Sequence, residues 1–316
     1  MNELNLQYII NSITSDIEIP LKRSGIFYRI FSRSKSINSI KRKLDSKQGV
    51  YSPDGKKMQD IIGVRIVFYF LEDIDVFCSY LRSMSNFIDE SNSYKELEQK
   101  GSIDGLDKLT DKVFMPTRLN LIFKMDDFCT RELMNVLKDI DGIDSSLIDC
   151  TYEIQLRTVL SEGWHEVEHD LRYKCRTEEW WNYCGVESRM LNGIYATLET
   201  SERAMGTIFS SIAIKNYKEK DWVAMIRNHF CIRLLDETLP NWMLELLDSQ
   251  KELSKGILKS SRSELLNILF RFSLPFPLKI ENLIYLINRL SIFNEEISSK
   301  ENLIIKKQLD RIGINN

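Results

Sequence analysis

Glu153-Ile-Gln-Leu-Arg-Thr-Val-Leu-Ser-Glu-Gly-Trp-His-Glu-Val-Glu-His-Asp-Leu-Arg-Tyr-Lys174 runs a charged ladder straight into a segment crowded with titratable groups. Strand side chains alternate between faces, so Glu153, Gln155 and Arg157 share one surface while Ile154 and Leu156 enter an apolar layer. Thr158 is positioned to cap a helix that follows. At helical spacing Trp164 lies above Glu168, and His165, His169 and Arg172 fall on a neighbouring stripe. A carboxylate, an amide and a guanidinium on one strand face, beside a polar helix, predict a site built on a sheet.

Working outward, Ile61-Ile-Gly-Val-Arg-Ile-Val-Phe-Tyr-Phe70 is a β-branched and aromatic run that reads as a central strand, entered by Asp60 and left by an acidic turn at Glu72-Asp73. A helix over 73–87 returns the chain, residues 88–112 read as a long polar loop, and 117–124, 130–139 and 151–157 read as strand, helix and strand. Residues 158–174 and 186–214 are helical in pattern. After Lys218 the chain turns to Leu/Ile-rich helices broken at Pro240, Pro275 and Pro277, with stripes such as Leu265, Leu269 and Phe272, or Ile280, Leu283, Ile284, Ile287 and Leu290. These stripes read as internal packing, and no charged cluster or metal spacing stands out there. The expected fold is α+β, α/β-like: a mixed sheet of about five strands flanked by helices over 1–215, then an all-helical region over 216–316.

A chain of 316 residues, 43% hydrophobic and 28% charged, can bury a sizeable core. No basic leader followed by an apolar run opens it and no apolar stretch approaches ~18 residues, so a cytoplasmic protein with no membrane partner is expected. The six cysteines form no Cys-x-x-Cys pair, which argues against a zinc ribbon or a disulfide frame. A net charge of −3 excludes a generally basic coat, yet residues 21–47 carry nine Lys/Arg against one acid, Asp45. A solvated helix would intersperse Glu at i+4, and none is present, so the segment reads as a polyanion site.

Asp60 and Glu153, preceded by that basic segment, supply what phosphoryl chemistry needs: acids for Mg²⁺, cations for a polyphosphate and a base for a hydroxyl. No Gly-x-x-x-x-Gly-Lys-Ser/Thr loop occurs, so a P-loop is not the route. Arg33-Ser-Lys35-Ser-Ile-Asn-Ser39-Ile-Lys-Arg-Lys43 resembles the Arg-x-Lys…Ser-Ile-x-x-Lys segment of the RelA/SpoT synthetase domain. Asp60-Ile-Ile-Gly-Val-Arg65 resembles its metal-aspartate strand, and Glu153-Ile-Gln-Leu-Arg157-Thr…Trp164…His169…Tyr173-Lys174 its Glu-x-Gln-x-Arg-Thr block. Three motifs in the family's order cover roughly residues 20–175. The resemblance implies a nucleotidyltransferase-like enzyme that moves the β,γ-pyrophosphate of ATP to a ribose 3′-hydroxyl, making a (p)ppGpp-type alarmone when GDP or GTP is the acceptor. It also implies that Arg33, Lys35, Ser39 and Lys43 hold ATP, that Arg65 lies against the donor and that Gln155 and Arg157 orient phosphates. Asp60 and Glu153 would bind Mg²⁺, with Glu153 as general base, and His169 would join the nucleotide-binding set.

Where the family has Tyr-x-Ser-Leu-His on the acceptor strand, this chain has Pro116-Thr-Arg118-Leu-Asn120. Arg118 and Asn120 then share a face and replace the family's aromatic and histidine, with Phe114 or Tyr152 as substitute rings. Other acceptors, the 3′ end of tRNA or an adenosine nucleotide, stay open on that ground, as does a non-catalytic nucleotide- or partner-binding member. His165-Glu-Val-Glu-His169 also satisfies the zincin pattern His-Glu-x-x-His, a rival that three fixed positions in a charged helix support weakly. About 20 residues precede the matching region and the chain has three histidines, so no hydrolase domain is expected. The C-terminal helices are the expected place for an antitoxin or a second copy to bind.

Overall fold

The computed structural model describes residues 6–47, 49–92, 119–168, 170–171, 184–274, 276–311 and 313. The chain divides into two compact units, one of Met1–Glu18, Tyr28–Tyr69 and Leu81–Thr200, the other of Ile19–Phe27, Phe70–Tyr80 and Ser201–Asn316.

The first unit is built on a five-stranded mixed sheet: β1 (Tyr28–Ser34), β2 (Ile62–Phe68), β3 (Phe87–Asn92), β4 (Leu119–Lys124) and β5 (Thr151–Thr158) in the order β1-β2-β5-β4-β3. β2 and β5 are parallel and every other pairing is antiparallel. This parallel pair lies in the middle of the sheet and carries the apolar layer expected of it: Val64, Ile66, Ile154 and Leu156 are buried, as are Leu121 and Phe123 of β4. Tyr152 belongs to that layer as well, stacked on Phe123 at 5.4 Å. The opposite face carries the polar residues. The expected α+β sheet of five strands with helices, followed by helices alone, is therefore what the chain forms.

Helices alternate with these strands along the chain. α1 (Gln7–Ser24) opens the chain, and α2 (Ile37–Ser46) starts at Ser36, whose hydroxyl accepts from Ser39 N, and buries Ile40. α3 (Leu71–Arg82) follows β2, and α4 (Asp127–Lys138) is capped by Asp126 and buries Cys129, Leu133 and Leu137 at i, i+4, i+8. α5 (Val159–Glu168) follows β5 through a reciprocal cap: Ser161 N donates to Thr158 Oγ1 and Thr158 N donates to Ser161 Oγ. Thr158 is thus the cap that its position before the helix implied. α6 (Gly185–Lys218) is the longest helix among the described residues.

Two expectations are corrected here. Phe87–Asn92, where the sequence predicts the end of a helix at 87 and a long loop from 88 to 112, is a strand paired with β4; residues 93–118 lie outside the described residues. Glu72 and Asp73 are not a turn but the first turn of α3, and Asp73 is fully buried.

The second unit is helical. α7 (Trp222–Phe230), α8 (Asn241–Ser249), α9 (Lys251–Lys259), α10 (Arg262–Phe272), α11 (Ile280–Ile287), α12 (Glu295–Ser299) and α13 (Leu303–Arg311) bury Leu265, Leu269, Ile280, Leu283, Ile284 and Ile287 as their stripes predict. Asp73 is held here by Arg262, whose Nη1 lies 2.6 Å from Oδ1 and whose Nε donates to the Phe230 carbonyl at 2.6 Å. Burial pushes the Asp73 carboxyl above its ordinary value despite the neighbouring guanidinium. A charged cluster absent from the sequence reading is also present. Arg289, 2% exposed, donates through Nε and Nη2 to Glu301 at 2.8 and 2.5 Å and through Nη1 to Asp310 at 2.7 Å. Among the described residues no helix is long and apolar enough to cross a membrane.

Removing one partner of a buried fork leaves an uncompensated charge, at a cost of about 3–5 kcal/mol. Arg289→Ala is therefore expected to lower the denaturant midpoint of the helical unit strongly, whereas the exposed Arg227→Ala changes the unfolding free energy by less than about 1 kcal/mol and leaves the midpoint nearly unmoved. Equal midpoints for the two variants in urea titration would overturn the assignment of Arg289 as a structural centre.

Candidate functional site

The polar face of the sheet is fixed by register. β1 sets Phe31 against Arg65 and Arg33 against Gly63, β5 sets Gln155 against Arg65 and Glu153 against Gly63, and β4 sets Asn120 against Gln155. Directly paired residues share a face. Arg33, Gly63 and Glu153 therefore form one rung, and Phe31, Arg65, Gln155 and Asn120 the next. Gly63 leaves its rung open: a Cβ there would meet nothing within 4 Å.

Asp60 stands just before β2, and both lysines of the basic segment converge on it. Lys35 Nζ lies 2.5 Å and Lys43 Nζ 2.6 Å from the same oxygen, Oδ2. Lys35 is brought there by the link from β1 to α2, where its N–H donates to the Ile61 carbonyl at 2.7 Å, and Lys43 projects from the last turn of α2. Burial works to raise the Asp60 carboxyl, but the two ammonium groups outweigh it and hold the carboxyl below its ordinary value. At Lys35 burial prevails over Asp60 and lowers the ammonium; at Lys43 burial is outweighed by Asp60, and the ammonium is raised. The Glu153 carboxylate adds to the field at both lysines, so the two acids and two cations form one electrostatic group. Asp60 Oδ1 is buried with no hydrogen-bond partner.

A chain of hydrogen bonds crosses the face from this group. Gln155 Nε2 donates to Glu153 Oε1 at 3.2 Å, Arg65 Nε to Gln155 Oε1 at 3.1 Å, and Arg65 Nη1 to Glu162 Oε1 at 2.5 Å. Glu162 comes from the first turn of α5 and was not singled out from the sequence. Its signal was available as an acid four residues beyond the Thr158 cap, one turn above the charged strand. Arg65 and Glu162 line a pocket of about 360 Å³ with Arg29, Phe31, Arg33 and Gln155. Arg29 Nε donates to the Tyr69 hydroxyl at 3.0 Å.

The residues singled out from the sequence divide three ways. Lys35, Lys43, Asp60, Arg65, Glu153 and Gln155 come together as described; Arg33 is exposed on β1 beside them, and Ser39 sits in α2 with its hydroxyl 2.9 Å from that of Ser36. Arg157 is 7% exposed and Nη1 donates to the Leu156 carbonyl. Asn120 lies on the site face, and its Oδ1 is buried without a hydrogen-bond partner. Arg118, Phe114, His169, Tyr173 and Lys174 lie outside the described residues. Tyr152 is corrected as a substitute ring for the acceptor: it faces the core, 5% exposed, with its hydroxyl accepting from Asn86 at 3.2 Å and burial pushing its phenol up to about 12. His165 is buried edge-on to Trp164 and near Tyr195, and among the described residues no three His, Cys, Asp or Glu side chains converge as a metal group would.

No curated protein matches the chain. Among solved structures, the small alarmone synthetase 2 of Bacillus subtilis is 17% identical, with 64% of this chain and 93% of that one covered at a TM-score of 0.41. The small alarmone synthetase 1 of Bacillus subtilis bound to its product pppGpp is 18% identical, with 64% and 92% covered and a TM-score of 0.41. A GTP pyrophosphokinase family protein of Streptococcus pneumoniae is 18% identical, with 64% and 86% covered and a TM-score of 0.40. Residues 32–178 match the family described as "Region found in RelA / SpoT proteins". That segment, somewhat less than half of the chain, holds Arg33, Lys35, Asp60, Arg65, Glu153 and Gln155 alike, and it is the part of the chain that is similar to the RelA/SpoT family.

Proposed function

We propose that the chain is a nucleotide pyrophosphokinase that transfers the β,γ-pyrophosphate of ATP to a ribose 3′-hydroxyl, with GDP or GTP as the acceptor. The observation that carries this reading is the four-charge group of Asp60, Lys35, Lys43 and Glu153 on one sheet face, inside the segment that matches the family. Residues 1–215 would perform the transfer, and residues 216–316 would serve interaction or regulation.

Asp60 is suited to Mg²⁺: it is held ionised, one oxygen already accommodates two positive charges, and the other is buried without a partner. Asp60 and Glu153 would hold the ion, which would neutralise charge on the transferred group. Lys35 and Lys43 would exchange Asp60 for the donor's phosphates, and Arg33 would stand beside them. Glu153, oriented by the Gln155 amide, would take the proton from the acceptor's 3′-hydroxyl as that oxygen bonds to the β-phosphorus and AMP leaves. The electron pair of the broken P–O bond departs with AMP, which leaves no redox step.

A second acceptor class is favoured by one observation. The acceptor strand lacks the family's aromatic and histidine and presents Asn120, with a buried unpartnered oxygen, beside Gln155. The 3′ end of tRNA or an adenosine nucleotide fits that change. Incubation with γ-labelled ATP and GDP, GTP, ATP or bulk tRNA separates the cases, and no labelled product on any acceptor would sink the reading in favour of a non-catalytic member.

Asp60→Asn and Glu153→Gln are each expected to lower product formation at least about 100-fold in a folded protein, because each removes charge that the transferred group needs. Rates near wild type in either variant would dismiss the site. Lys35→Ala and Lys43→Ala should each weaken ATP binding, with the larger loss at low salt, since ions screen phosphate contacts. Unchanged affinity in both would mean that the basic segment serves the fold. Arg118→Ala should raise the acceptor's KM and leave donor binding unchanged, with Asn120→Ala weaker in the same direction. Loss of donor affinity in Arg118→Ala would move that residue to the ATP side.

A further inference from the structure

Among the residues that line the pocket, Glu162 alone carries a buried side-chain oxygen without a hydrogen-bond partner. Its side chain is 14% exposed, Oε1 is taken by Arg65, and Oε2 is buried with no hydrogen-bond partner. A buried carboxylate oxygen left unpaired is costly, and in a concave polar site a ligand donor is the economical remedy. The pocket volume of about 360 Å³ suits a flat ring, and its walls include the exposed ring of Phe31 and the guanidinium of Arg65.

Position along the strand says which part of a nucleotide arrives there. Arg65 and Glu162 mark one end; two residues back on β2, ~7 Å away at strand rise, Gly63 gives an open floor, and beyond it stand Asp60 and the two lysines. Phosphates belong with the lysines and are repelled by Glu162. The base is then the part that reaches Glu162. One free oxygen accepts from one donor. The pairing edge of adenine offers a single N–H group, its exocyclic amine, whereas that of guanine offers two adjacent donors and calls for both carboxylate oxygens. Arg65 has already claimed Oε1.

We infer that Glu162 is a specificity residue for the donor, its Oε2 accepting a hydrogen bond from the exocyclic amine of an adenine-type base. The assignment rests on the reading of this face as an ATP site and adds to it the group that distinguishes the base. Arg65 is aligned by the same carboxylate, so Glu162 both orients the stacking cation and reads the ring edge.

The test is equilibrium binding in the absence of any acceptor, using ATP, GTP and purine riboside triphosphate, which lacks only the amine. Wild-type protein should bind ATP about 10- to 100-fold more tightly than purine riboside triphosphate, the range for a hydrogen bond to a charged group. Glu162→Met should bring the two within about twofold. Glu162→Gln, which keeps the side chain's shape and can turn its NH₂ toward the ring, should lose the preference for ATP and gain affinity for inosine triphosphate, which places an acceptor where the amine was. Equal binding of ATP and purine riboside triphosphate by wild type overturns the assignment, as it would if a ribose hydroxyl satisfied Oε2. So does full discrimination retained in Glu162→Gln, a readout that stands even if Glu162→Met fails to fold. Labelled-ATP transfer run alongside keeps the two ideas apart: discrimination without transfer to any acceptor removes the pyrophosphokinase reading and leaves Glu162 assigned, while transfer without discrimination does the reverse.

Discussion

Parallel pairing of β2 with β5 in one register sets Gly63 beside Glu153 and Arg65 beside Gln155, and the rest of the site depends on it. A shift by one residue would send Glu153 and Gln155 into the apolar layer and bring Ile154 to the polar face, because side chains alternate with a period of two. That layer is the safeguard. Val64, Ile66, Ile154 and Leu156 are all almost fully buried, so the register that buries them also aligns the charged residues. Stability and chemistry are specified by the same constraint, which is why a polar face can persist on strands so rich in β-branched residues.

Charge on that face is balanced but not exhausted. Asp60 takes both lysines on Oδ2 and leaves Oδ1 bare; Glu162 takes Arg65 on one oxygen and leaves the other bare; Asn120 leaves its carbonyl oxygen bare. All three unpartnered atoms are acceptors. Bare acceptors attract cations, amines and hydroxyls, while the exposed Arg33 and the two lysines, held by a single carboxylate oxygen, add the positive charge that attracts anions. Nucleotides with a divalent cation bring both kinds of group. Arg289 of the helical unit behaves differently: Nε, Nη1 and Nη2 are spent on Glu301 and Asp310, the pattern of a charge that fixes a fold.

Much of the first unit was legible because its central strands are extreme in pattern. Ile61–Phe70 is β-branched and aromatic almost throughout, interrupted only by Gly63 and Arg65, and Glu153–Arg157 alternates strictly; both are strands within a residue or two of their expected bounds. The edge strands were not legible. Tyr28–Ser34 is mostly exposed and was absorbed into a basic segment, and Phe87–Asn92 is polar, so neither displayed the hydrophobic period that marks a half-buried strand. Sheet order is non-local and no spacing encodes it. Asp73 reads as a turn acid because the partner that makes its burial tolerable, Arg262, lies far along the chain.

Legibility of the site follows the same division. Asp60, Glu153, Lys35 and Lys43 could be named from motif and charge, but that both lysines share one oxygen of Asp60 depends on how α2 packs beside β2, which a linear pattern does not carry. Glu162 shares its helix with Trp164 and His165, two more conspicuous neighbours that mask it in the sequence. His165 proved to be an aromatic-cluster residue, edge-on to Trp164, whereas the unremarked acid one turn earlier holds Arg65. A residue type attracts attention through its chemistry in isolation; its role is set by which of its atoms remain unpaired once the chain has folded. On that measure Glu162, with one oxygen committed to Arg65 and the other without a partner, stands with Asp60 as a group whose hydrogen bonding the folded chain leaves incomplete.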